Sequence, residues 1–322
     1  MKERNFRMIN TNGVQLRAVV EGSGPLLILL HGWPQCWYLW RHHIDPLVAA
    51  GYQVAVPDQR GYGGSDCPPA VEDYDIVELC KDVVGLADAL GHGTFRLLGH
   101  DWGAIVAWHT ALLYADRVEA IACLSVPYTR WDTNAMTQQA AHGENFFYSV
   151  YFQQPGVAER ELDADLERSL RHIYYSVSAQ APQGLWFSER SCDEGLLDGL
   201  QDFTGLPAWL TAADLKYCVE QYSRNGFRGP LNFYRNIQRN EAITPQLTTA
   251  KVSQPAFFMI GKQDVALLFF DGNWVDAMDD YVADLRGKVY VDNAGHWLPV
   301  EQPEAVTESV IKFFKSIDHA QV

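Results

Sequence analysis

Leu98-Gly99-His100-Asp101-Trp102-Gly103 closes a strand-like run, Phe95 to Leu98, and leads into a helical pattern from Ala104 to Tyr114. A buried strand that turns sharply into a helix is where a catalytic side chain is raised over the end of a sheet. Gly99 and Gly103 let the backbone make that turn without collision and lift Asp101 toward a pocket, beside the helix N-terminus. The raised group is a carboxylate, and this selects the chemistry. A carboxylate attacking an ester carbonyl leads only to an anhydride, whereas attack on an electrophilic sp³ carbon gives an ester intermediate. The bland alternative, Asp101 as a helix N-cap only, has to be weighed against the rest of the chain.

Upstream and downstream of this turn the chain alternates short apolar runs with helical patterns, the grammar of an α/β fold. Val14 to Val20, Pro25 to Leu30, Gln53 to Val56 and Phe95 to Leu98 read as strands. Continuous Val, Leu and Ile suits strands covered on both faces. Ile76 to Leu90 repeats apolar residues near helical spacing, with Gly91 as its stop. After Val126-Pro127 the grammar changes to a segment rich in Tyr, Phe, Trp, Gln and acidic side chains, with no convincing buried strand. Strand-like runs resume at Ala256 to Ile260 and Lys288 to Val291, separated by Trp274 to Leu285, and Pro303 to Phe314 reads as a closing helix. A sheet interrupted by an inserted helical lobe and then completed is the arrangement expected.

Bulk properties narrow the function. The chain has 322 residues, 48% of them hydrophobic, enough for a large core with an inserted lobe. A formal charge of −15 repels phosphates and anionic lipid, so neither nucleic acid nor a membrane is an expected partner. The N-terminal residues lack an apolar stretch of signal-peptide length and no apolar run could span a bilayer, which predicts a cytoplasmic protein. The six cysteines show no CxxC pairing, and His42-His43, His100 and His296 have no ligand spacing with acidic partners, so no metal and no organic cofactor is expected.

Three further stretches complete a catalytic set. Leu30-His31-Gly32-Trp33-Pro34 follows the buried strand at the loop that supplies one oxyanion-binding amide, that of Trp33; the other would come from Trp102, next after Asp101. His31 reads as structural. Asn293-Ala294-Gly295-His296-Trp297 follows the last strand and offers His296 as the base, at the strand end where such sheets bind ligands. Gly261-Lys262-Gln263-Asp264 puts Asp264 where the carboxylate that orients the histidine belongs, with Asp292 as the weaker rival.

These residues, in this order and over nearly the whole chain, resemble the epoxide hydrolases of the α/β-hydrolase fold. The likeness includes Asp58-Gln59-Arg60-Gly61-Tyr62-Gly63-Gly64-Ser65, a structural loop near the turn that lacks dinucleotide-binding spacing. It implies an α/β-hydrolase core with a mostly parallel central sheet, residues 1–127 and 245–322, and an inserted helical cap or lid domain, residues 128–244. It also matches Phe146 to Gly156 and Gly226 to Asn236 to the two cap segments that carry tyrosines, giving Tyr148 and Tyr234, with Tyr151 as an alternative to the first. Two phenols with an ordinary pKa near ~10 can hold the oxygen of an opening epoxide and then supply a proton.

The expected partners are therefore a small apolar epoxide, aryl or alkyl, and water, with Trp33, Trp102, Phe146 and Trp297 lining an apolar slot. The loop reads HGWP where many relatives read HGFP, a change in pocket width that leaves the backbone donor in place. Homodimerisation through an apolar cap face stays open. Two rivals remain. A dehalogenase shares the Asp, His, acid chemistry, but the fluoroacetate type carries arginine where Trp102 stands and the haloalkane type lacks the tyrosine pair. A ligand-binding protein on the same fold is the other, although such proteins usually lose part of the catalytic set, and none of it is missing here.

Overall fold

The computed structural model describes residues 3–130, 132–200, 203, 205–269 and 274–320. Eight strands form one sheet: β1 Phe6–Thr11, β2 Val14–Glu21, β3 Leu26–Leu30, β4 Gln53–Pro57, β5 Phe95–His100, β6 Val118–Leu124, β7 Val252–Gly261 and β8 Val282–Val291. Their order is β1-β2-β4-β3-β5-β6-β7-β8. β1 pairs antiparallel with β2, and β2 antiparallel with β4, while every pair from β4 to β8 is parallel.

The burial of each strand follows its place in that order. All five residues of β3 and all six of β5 are buried, as expected where helices cover both faces. β1 and β8, at the two edges, are largely exposed or half-buried. β6 was not legible as a strand because Glu119 interrupts Val118-Glu119-Ala120-Ile121-Ala122-Cys123-Leu124. In the fold this charge sits at the strand's start, where the Arg96 guanidinium of β5 donates to it at 3.0 Å. β8 begins at Val282, six positions before the expected start at Lys288, directly after the helix Trp274–Tyr281. Asp284, Arg286 and Lys288 disguise its early part, which an edge strand tolerates because one side faces water.

Helices Ile76–Ala89 and Trp102–Leu113 pack on the sheet. The first is started by Asp75, whose carboxylate accepts from the amides of Val77 and Glu78 at 3.1 and 3.0 Å, a cap worth about 1 kcal/mol. Between β6 and β7 the described residues form helices and turns, including Tyr148–Tyr151, Leu166–Ser176, Ala212–Tyr222, Arg228–Arg235 and Ile237–Ile243, and no strand. This insertion is tied to the sheet's loops. The Trp37 indole N–H donates to the Tyr217 hydroxyl at 2.7 Å, the Tyr38 hydroxyl donates to Asp214 at 2.8 Å, and the Tyr174 hydroxyl donates to the Pro34 carbonyl at 2.9 Å. Among the described residues no helix is long and apolar enough to cross a membrane.

Candidate active site

Because the strands from β3 to β8 run parallel, their carboxyl ends form one rim: Leu30 lies beside Gly99, His100 beside Leu124, Leu124 beside Met259 and Gly261 beside Val291. Each loop leaving this rim brings one functional group.

Asp101 sits at the turn out of β5 with φ 54° and ψ −124°, a conformation a residue with a Cβ rarely adopts. The turn closes so tightly that a Cβ on Gly99 would lie 2.4 Å from the Gly103 carbonyl oxygen, and one on Gly103 would lie 2.1 Å from that of Leu30. Gly32 is equally constrained, since a Cβ there would stand 2.2 Å from Oδ1 of Asp101. The sequence identified the loop but not this dependence. With that space open, the Trp33 amide donates to Asp101 Oδ1 at 2.7 Å, and the Trp102 amide also acts on the carboxylate.

On the far side of the rim His296 turns Nδ1 toward Asp264 Oδ1 at 3.0 Å and Nε2 toward Asp101 Oδ2 at 3.6 Å. The rival Asp292 points outward, 2.7 Å from the Lys262 ammonium, with its side chain 74% exposed. Burial alone would lower the His296 pKa. The negative charges of Asp264 and Asp101 reverse this and push it up to about 10. For Asp101 burial acts upward, but the facing imidazole, His100 and the Trp102 amide hold the carboxyl below its ordinary value. His100 is buried and its pKa is pushed down to about 4. As a neutral ring it donates from Nε2 to the His296 carbonyl at 2.7 Å, which fixes the backbone at His296. His31 likewise has a structural place, accepting at Nε2 from the Gln59 amide at 3.1 Å.

A mostly apolar cavity opens over this rim. Asp101, His296, Tyr148, Tyr234, Trp33, Trp102 and Trp297 all line it. Tyr148 and Tyr234 approach from the insertion with ring centroids 5.9 Å apart. Burial first, and the Asp101 charge second, raise both phenols above their ordinary pKa, so they enter the site as donors. Tyr151 is otherwise engaged, its hydroxyl donating to Glu161 at 2.9 Å.

Phe146 corrects one expectation, because it does not line the cavity. The helix Tyr148–Tyr151 turns the chain just beyond it, leaving its ring under the Arg190 guanidinium at 4.3 Å and beside Tyr151 at 5.3 Å. Trp186 takes such a place instead, 5.3 Å from Tyr148 and 6.3 Å from Trp33. Its only sequence signal was the apolar triplet Leu185-Trp186-Phe187 in a polar stretch. Ile105, Ile173, Ile237 and Phe269 add apolar wall. The described residues hold no cluster of three or more His, Cys, Asp or Glu that could bind a metal ion.

Comparison with known proteins places this geometry. The family model of the alpha/beta hydrolase fold matches residues 25–303. Over 317 residues the chain is 41% identical to Epoxide hydrolase A of Mycobacterium tuberculosis (strain ATCC 25618 / H37Rv), an alignment that covers 97% of this chain and 98% of that protein. Among solved structures it superposes on Epoxide Hydrolase A from Mycobacterium thermoresistibile with a TM-score of 0.91 and 40% identity, covering 97% of this chain and 98% of that one. An epoxide hydrolase from an endophytic Streptomyces gives a TM-score of 0.93 at 32% identity, over 99% and 97% of the two chains. The chain belongs to the α/β-hydrolase fold family and, within it, to the epoxide hydrolases.

Proposed function

We propose that the protein converts a small apolar epoxide to a vicinal diol through a covalent ester on Asp101. The observation that carries this is the meeting, in one apolar cavity, of a carboxylate on a strained turn, a histidine between two carboxylates and two buried phenols. In this scheme Trp33 holds Oδ1 of Asp101, leaving Oδ2 to attack a ring carbon while Tyr148 and Tyr234 donate to the epoxide oxygen. The carbon–oxygen bond of the ring breaks, a phenol gives its proton to the alkoxide, and an alkyl ester of Asp101 forms.

Ester formation removes the Asp101 charge. One of the two anions that keep His296 protonated disappears, so its pKa falls and its proton passes to the tyrosinate left by ring opening. The neutral imidazole, oriented by Asp264, can then take a proton from water and later return it to the departing alkoxide. The hydroxide adds to the Asp101 carbonyl carbon, and the amides of Trp33 and Trp102 hold the resulting oxyanion. Collapse releases the diol and leaves one solvent oxygen in Asp101. The aromatic and aliphatic walls favour an aryl or alkyl epoxide. The core at 1–127 and 245–322 would supply the ester chemistry and the cap at 128–244 the phenols.

The test is a single turnover of a styrene-oxide-type epoxide in ¹⁸O-enriched water, with Asp101→Ala as control. Label in the Asp101 peptide and little in the first diol is the expected result. Label passing straight into the diol refutes the ester. No diol from a panel of epoxides, with halide released from bromoalkanes, returns the site to dehalogenation.

A further inference from the structure

The loop that carries His296 is held by a side chain outside the catalytic set. Glu301 lies on the short helix Leu298–Glu301, half-buried behind the loop. Its Oε1 accepts from the Trp297 amide at 3.0 Å and its Oε2 from the Gly295 amide at 3.1 Å, so the two oxygens grip the residues on either side of the histidine. Oε2 also accepts from the Ala179 amide at 2.9 Å, a residue of the inserted segment. Between these bonds the His296 amide donates to the Val177 carbonyl at 2.9 Å. The two backbones touch so closely that a Cβ on Gly295 would lie 2.4 Å from the Ala179 nitrogen. Three consecutive amides of the loop therefore have fixed partners, two of them on one carboxylate.

We propose that Glu301 is a positioning residue for the hydrolytic half of the reaction, holding the His296 loop against the insertion so that the imidazole can aim water at the Asp101 ester. This rests on the ester mechanism proposed above. The selectivity comes from which loop moves. Alkylation depends on Asp101, whose seat is set by its own turn and the Trp33 amide, and on the phenols; residues 295–297 reach that set only through the 3.6 Å approach of His296 to Oδ2. Hydrolysis depends on where Nε2 of His296 stands relative to Asp101, now 3.6 Å from Oδ2, and a small displacement there is costly.

Replacing Glu301 with Gln keeps the shape but turns an amino group toward at least one amide N–H, donor against donor. Burial pushes the Glu301 carboxyl up to about 7 against the pull of its three amide partners, and thermal melting of the variant separates lost positioning from lost folding.

The experiment is rapid-quench mass spectrometry of the Asp101 peptide in wild type, Glu301→Gln and Glu301→Asp, with thermal melting of each. Wild type should show ester formation followed by its decay. In Glu301→Gln the decay should slow by at least about tenfold while ester formation stays within about threefold, so that ester accumulates. Glu301→Asp, which keeps the charge but withdraws it by one methylene, should fall between, and it carries the test alone if the Gln variant does not fold. Ester decay unchanged at position 301, or formation and decay slowed in proportion, overturns the proposal. Absence of any ester in wild type overturns the mechanism beneath it, a result distinct from an ester whose decay ignores residue 301.

Discussion

Asp101 and His296 set each other's protonation, and this coupling can be measured without turnover. With both carboxylates present the imidazole pKa is pushed up to about 10. Substituting Asp101→Asn removes one anion at nearly constant shape and mimics the neutral ester. The His296 ring should then titrate at clearly lower pH, detectable by NMR of its ring protons. A ring still titrating near its wild-type value would mean that Asp264 alone sets the charge and that ester formation does not switch the base on. At this scale the sequence was most informative where one side-chain type at one turn marks a candidate, as at Asp101, Asp264 and His296, which the fold brings together. It was least informative where a residue's role depends on which way a helix turns the chain, hence Phe146 facing Arg190 and the unexpected Trp186 in the wall. Glu301 was silent because its partners are backbone amides, which no side-chain motif records.

The turn after β3 and the turn after β5 are one structural unit, since the first has no side chain where the second places its carboxylate. A Cβ at Gly32 would stand 2.2 Å from Oδ1, 2.5 Å from Cβ and 2.7 Å from Cγ of Asp101. Gly32→Ala therefore has to push Asp101 off its seat or open the Trp33 loop. A crowded substitution of this kind destabilises by about 1–3 kcal/mol, leaving a folded chain. The displacement should lower kcat/KM by about 100-fold or more. Urea unfolding and steady-state kinetics on the same sample check both parts, and wild-type turnover would show that the seat is less rigid than its geometry. The same elements explain what could be read of the fold. A fully buried strand such as β3, Leu26-Leu27-Ile28-Leu29-Leu30, announces itself as an unbroken apolar run, and β5 does so over Phe95 to Leu98 apart from Arg96. β6 and the first half of β8 carry charges that only their neighbours in the sheet make acceptable, Arg96 for Glu119 and the open edge for Asp284 and Arg286.

Across the whole molecule, the insertion is bonded to the loop that carries part of the site's charge, so the pH dependence of stability should report on it. His296 has a folded pKa of about 10 against an ordinary 6.5. A raised value means that folding binds its proton. The stabilisation is fully present below pH 6.5 and is lost as pH rises through about 10. For Asp101 the shift is downward from 3.8, so its contribution is present above that value and lost as pH falls through the lower folded pKa. Between these limits the pair stabilises a contact that also includes the His296 amide on Val177 and the Trp297 indole N–H on the Tyr174 carbonyl at 2.8 Å, both from the insertion. Wild type should therefore lose more unfolding free energy than His296→Gln when pH is raised from about 6 to about 9, because only wild type has that proton to release. Urea unfolding at the two pH values, with both proteins in the same buffers, measures the difference. Equal losses in the two proteins would mean that His296 is neutral at rest, and the base would then be ready before the ester forms instead of being released by it.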